Sequence, residues 1–114
     1  METSLDIKFA EKSESIVTQF GFKDLKSFVK NQALLMLMAR IERYEAEDKR
    51  FEAKYHMEFK AFQAKVEGLQ NEEIFTEDDD YLDWRFAKEA IDRLVKQKLE
   101  LEFAWSDFQV QTLY

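Results

Sequence analysis

The chain has no cysteine, no proline, two glycines and a single histidine, His56. Without cysteine there is no disulfide framework, no thiolate metal site and no thiol nucleophile. One histidine leaves a multi-histidine metal site short of ligands. Sandwiches, barrels and doubly wound sheets need many tight turns, and two glycines without proline do not supply them. Long apolar runs are missing too. The longest, Ala33 to Ala39, is far short of the roughly 20 residues that cross a bilayer. The first residues lack the basic stretch and apolar core of a secretion signal. A cytoplasmic protein with no membrane association is the expectation.

What remains is 114 residues, 36% charged and 15% aromatic, with a net charge of −7. That mixture suits a helical protein with aromatic-rich packing faces. Residues 1–43 hold seven bases and six acids, whereas residues 44–114 hold ten bases and eighteen acids. A near-neutral head and an acidic remainder suggest two jobs within one chain, or one job and a solubilising extension.

The opening alternates: Leu5, Ile7 and Phe9 are apolar, while Ser4, Asp6 and Lys8 are polar. Period two predicts a short strand. A lone strand is unstable, so pairing with the same strand of a second copy is expected, with a terminus docked on helices as the alternative. A helix is expected from about residue 11 to 20, closed by Gly21 at its C-cap, with Phe22 packing back on it. Asp24 is placed to cap the next helix, which carries Leu25, Phe28 and Val29 inward.

No glycine or proline interrupts residues 24–67. Ile41, Tyr44, Phe51 and Tyr55 fit one heptad seam, and Phe59, Phe62, Val66 and Leu69 fit another. The step of four from Tyr55 to Phe59 follows another step of four, a stutter that breaks or unwinds a coil. Two helices are expected, one ending near Tyr55 and one from about Met57 to Leu69; a single bent helix is the alternative. Glu47 and Asp48 put charge where the first seam lacks an apolar residue. The run from Leu34 to Met38 is apolar around the whole helix, which predicts burial on every side. Such burial implies an assembly larger than one chain.

Residues 72–83 contain seven acids and no base, with Ile74 and Phe75 as apolar anchors. Thr76 and Asp79 have capping-box spacing. A last helix is expected from about residue 80 to 107, with Trp84, Ala87, Ile91, Leu94, Leu101, Trp105 and Phe108 on its stripe. Catalysis finds little in this inventory. The acids at 77–80 lack the spacing of a calcium loop. The carboxylate–histidine spacing of a di-iron bundle fails, because Ala53 stands three residues before His56. No cofactor is expected, and no enzyme.

Three pieces of the head form a pattern: Ser4 to Phe9, then Gly21-Phe22-Lys23-Asp24, then Ser27-Phe28-Val29-Lys30 with Ala33. Over residues 3–40 the pattern resembles the ribbon-helix-helix DNA-binding family. The resemblance implies a homodimer whose two strands form a ribbon in the major groove, with Ser4, Asp6 and Lys8 facing base edges. It also implies a phosphate at the start of the second helix, held near Lys23, Asp24 and Lys26. A ribbon that has kept its dimer role without DNA is the other form of the same resemblance.

The remainder resembles the partner-binding part of prokaryotic type II antitoxins in its architecture. The residues that carry this are Tyr55-His56-Met57-Glu58-Phe59 and Glu77-Asp78-Asp79-Asp80-Tyr81-Leu82-Asp83-Trp84. The resemblance implies a cognate toxin, basic and of a class that includes ribonucleases. It would be held by aromatic anchors inside an acidic surround, with Tyr55, Phe59, Phe62, Phe75, Tyr81, Trp84, Phe86 and Ile91 as contacts. The competing assignment makes the same aromatics the core of a helical bundle.

The expectation is therefore an all-α homodimer with a short N-terminal intermolecular strand. A head (1–43) would bind operator DNA, a helical extension (44–71) would follow, and an acidic linker with a partner-binding helix (72–114) would close the chain. A non-catalytic helical adaptor dimer without DNA binding is the alternative function.

Overall fold

A computed structural model describes the backbone of residues 3–68 and 75–113 and the side chains of 3–68 and 79–104. The elements are four helices: α1 (Ser4–Gln19), α2 (Leu25–Tyr55), α3 (Phe59–Gly68) and α4 (Phe75–Leu113). Among the described residues there is no strand. They group into two units, 3–36 with 101–113 and 37–100. The boundaries of these units fall inside α2 and α4.

The first unit corrects the opening strand. Residues from Ser4 onward form α1, which starts in a capping box. The Thr3 hydroxyl accepts from the Asp6 backbone N–H, and the Asp6 carboxylate accepts from the Thr3 N–H, both at 3.1 Å. Six alternating residues are too few to decide between periods. A helix satisfies its backbone groups within the segment, whereas a strand needs a neighbour to do so.

The end of α1 is as the sequence suggested. Gly21 takes φ +96°, in the left-handed region that favours glycine. Its N–H donates to Thr18 O at 3.1 Å and the Phe22 N–H donates to Val17 O at 3.0 Å, closing a Schellman turn. The Phe22 ring then meets Phe28 edge-on at 5.2 Å. Asp24 caps α2, its carboxylate accepting from the Ser27 N–H at 2.7 Å.

Within the single chain the run from Leu34 to Met38 is not buried all round: Leu34 and Leu37 are half-buried. Leu35, Met36 and Met38 are 52%, 70% and 44% exposed. A helix that is apolar on every side needs neighbours on every side, and the expectation assigned those neighbours to a larger assembly.

The second unit contains the aromatic core. Helix α2 is 31 residues, about 46 Å long, and it stops at the stutter. His56 turns to φ +55°, with its N–H on Glu52 O at 2.7 Å, and α3 starts at Phe59. The two expected helices are thus present, and the single bent helix is not. Phe51, Phe62 and Trp84 are buried together, with Tyr55, Met57, Phe59, Val66 and Tyr81 packed around them. Ala87 and Ala90 continue the buried stripe of α4. Burying one large apolar side chain contributes about 1.5–3 kcal/mol, so this cluster is the main stabilising feature of the unit. No helix among the described residues is long and apolar enough to cross a membrane.

Candidate interaction surfaces

Five of the aromatic anchors named from the sequence meet one another inside the chain. Trp84 lies 5.5 Å from Phe51, 6.2 Å from Tyr55, 5.4 Å from Phe59 and 5.2 Å from Phe62. Tyr81 stacks on Phe59 at 5.9 Å, and its hydroxyl accepts from Gln63 Nε2 at 3.1 Å. Trp84 and Phe62 are fully buried, so neither is presented to a partner in this conformation. Ile91 is half-buried. The backbone of Phe75 opens α4, but its side chain, like Ile74 and those of Trp105 and Phe108, lies outside the described residues.

Two acids from α2 and α4 hold this core in place. The Asp48 carboxylate accepts from Trp84 Nε1 at 2.7 Å and from Lys88 Nζ at 3.2 Å. The Asp80 carboxylate accepts from the Lys54 ammonium and the Tyr55 hydroxyl. Burial pushes the Asp80 pKa up, but these two hydrogen bonds and the charges of Lys54 and Arg50 outweigh it. The carboxyl therefore sits below its ordinary value of 3.8. A carboxyl depressed by folding stabilises the fold above its unfolded pKa and loses that contribution as pH falls through the folded one. Thermal melts from about pH 6 to about pH 2.5 should show wild type losing stability below about pH 4 more steeply than Asp80→Asn. Parallel curves for the two proteins would show that the Lys54–Asp80–Tyr55 group does not act on stability.

The residues proposed to meet DNA occupy different positions from those a ribbon would give them. Ser4, Asp6 and Lys8 lie in the first turns of α1, where residues two apart point to different sides. Asp6 is committed to capping its own helix, and its hydrogen bonds with Thr3 lower its pKa. At the α2 start, hydrogen bonding to Ser27 is the main cause that lowers the pKa of Asp24, with Lys23 and Lys26 adding to it. That helix N-terminus already holds an anion of the chain's own. Among the described residues no group of three or more acid or histidine side chains is arranged to hold a metal ion.

No protein family, curated protein or solved structure matches this chain.

Among the described residues several apolar groups face solvent, Leu35, Met36 and Met38 on α2 and Val95, Leu99 and Phe103 on α4 among them, and two further features stand out. The first follows from Trp84. Residues two apart on a helix lie about 160° apart, so an inward Trp84 turns Leu82 and Phe86 outward. They are 52% and 55% exposed. Phe86 rests one edge on Tyr44 at 5.9 Å. Asp79, Asp83 and Glu89, all exposed, border this pair at helical spacing. The second feature lies on α1 and its C-cap, where Leu5, Phe9 and Ile16 of the helix and the capping Phe20 are exposed. Of the six residues in these two features, Phe86 alone was named from the sequence as a partner contact. The signal for the α1 residues is their spacing of four, seven and four, which the period-two reading of the first residues hid.

Proposed function

We propose that the chain is a non-catalytic antitoxin that neutralises a co-encoded basic toxin by direct binding. The observation that carries this reading is the exposed pair Leu82 and Phe86 on α4, bordered by Asp79, Asp83 and Glu89. An apolar centre inside a charged rim is the anatomy of a protein interface. Acids outnumber bases in this rim: Asp79, Asp83 and Glu89 stand beside one exposed base, Arg85, which pairs with Glu89 at 3.8 Å. The rim steers and orients a cationic partner, while the Leu and Phe side chains supply the desolvated contact. The partner class is thus a protein with a basic cleft, such as a nucleic-acid-processing toxin. Binding to operator DNA is left out of the proposal, because the segment meant to form the ribbon is helical and the second helix's N-terminus is capped internally.

The test is co-expression with the adjacent reading frame. Expressed alone, the neighbour should arrest growth, and this chain should relieve the arrest and co-purify with it. The Leu82→Ala/Phe86→Ala variant should bind at least about thirtyfold more weakly, equivalent to about 2 kcal/mol, with its helical circular dichroism intact. A harmless neighbour that is not captured would overturn the reading and favour the adaptor function instead.

A further inference from the structure

The α1 surface has a symmetry that identifies its occupant. At about 100° per residue, Leu5, Phe9, Ile16 and Phe20 fall within an arc of about 60°. They form one ridge along the helix, and they are 76%, 72%, 55% and 75% exposed. Val17, at the side of this arc, is the residue of α1 that is buried. The helix thus turns its most apolar stripe to water.

The spacing of the ridge, four then seven then four, reads the same in both directions. We propose that this ridge is the contact of a homodimer in which two α1 helices pack antiparallel about a two-fold axis. A two-fold contact is isologous, so the same patch must complement itself. Reversal about the midpoint of the ridge places Leu5 against the partner's Phe20 and Phe9 against the partner's Ile16. Each aromatic meets an aliphatic side chain, and every large residue has an opposite number. An unrelated partner imposes no such palindrome. Antiparallel helices also set opposite dipole ends side by side.

The area is sufficient. With roughly 200 Å² for a whole Phe side chain and somewhat less for Leu or Ile, the ridge exposes roughly 500 Å² of apolar surface. A stable interface buries about 800 Å² per partner, a little over half of it apolar. One helix face therefore meets the apolar requirement. Lys12 lies on the ridge line near the two-fold axis. Its stem packs along the contact and its ammonium reaches outward to water, clear of the second Lys12. Lys12 thus limits the affinity, and its replacement by an apolar residue strengthens the pair.

The experiment uses the purified chain alone, so its outcome is independent of any toxin. Sedimentation equilibrium should show a concentration-dependent dimer. Phe9→Asp should raise the dimer dissociation constant at least about a hundredfold, and Lys12→Leu should lower it at least about tenfold. Because the chain has no cysteine, cross-links report the register directly. A mixture of Leu5→Cys and Phe20→Cys chains should oxidise to a mixed disulfide far faster than either variant alone pairs with itself. Lys12→Leu deletes no contact, so it keeps the proposal testable even if Phe9→Asp impairs folding. A wild-type chain and a Lys12→Leu variant that both stay monomeric would overturn it. A dimer indifferent to Phe9→Asp and Lys12→Leu would overturn it too, as would Leu5→Cys pairing fastest with itself.

Discussion

Trp84→Ala should cost the second unit about 3–5 kcal/mol, the usual range for deleting a fully buried large aromatic. The indole is fully buried and has four rings within 6.2 Å of it. These rings come from α2 (Phe51, Tyr55) and α3 (Phe59, Phe62), so removing the α4 member opens a cavity where three helices meet. Small domains are stable by only about 5–15 kcal/mol, so the loss is a large fraction of the total. The melting temperature should fall by roughly 10–25 °C, measured by circular dichroism at 222 nm. Trp84→Phe keeps most of the ring area and should cost about a third as much. If Trp84→Ala melted within a few degrees of wild type, the stability of the unit would not reside in this cluster.

The parts of the fold that were legible in the sequence are those fixed by local chemistry. Gly21, Phe22 and Asp24 specify a helix end and a helix start within a few residues, and the Schellman turn and the Asp24 cap lie where they were expected. The break after Tyr55 followed from seam arithmetic, because two steps of four displace the apolar stripe from its line. The start of the first helix was not legible. Leu5, Ile7 and Phe9 alternate, yet Leu5 and Phe9 also stand one helical turn apart, so both periods fit. The Thr3–Asp6 box decides the matter, and its two hydrogen bonds form only when the turn closes.

The same limit applies to surfaces. Composition marks Tyr55, Phe59, Phe62, Tyr81 and Trp84 as strong interface residues, but it marks them equally as core. Sequence spacing gives the face of a helix, not what lies against that face. For these five the facing surface belongs to the chain itself. For Leu35 and Met36, in a run expected to be buried, it is solvent. Asp48 shows the reverse case. A charge in a seam position reads as a weakness of the seam, yet its carboxylate is the acceptor for the indole at the centre of the core.

That acceptor gives the second large effect. Asp48→Ala should destabilise the unit by about 2 kcal/mol, because it leaves the Trp84 Nε1–H buried without a partner. Lys88 adds little, since its ammonium is partly exposed and turns to water when Asp48 is gone. Asp48→Asn retains an acceptor oxygen and should cost about half as much. A double-mutant cycle isolates the bond. On a Trp84→Phe background there is no indole N–H to orphan, so Asp48→Ala should cost close to nothing there. Two costs that add to within about 0.5 kcal/mol would show that the bond contributes nothing. The bond also bears on the proposed interface. An indole held by Asp48 fixes the rotation of α4 about its own axis, and that rotation is what turns Leu82 and Phe86 outward. Asp48→Ala should therefore weaken capture of the proposed partner as well as the fold, although Asp48 itself lies outside the exposed pair.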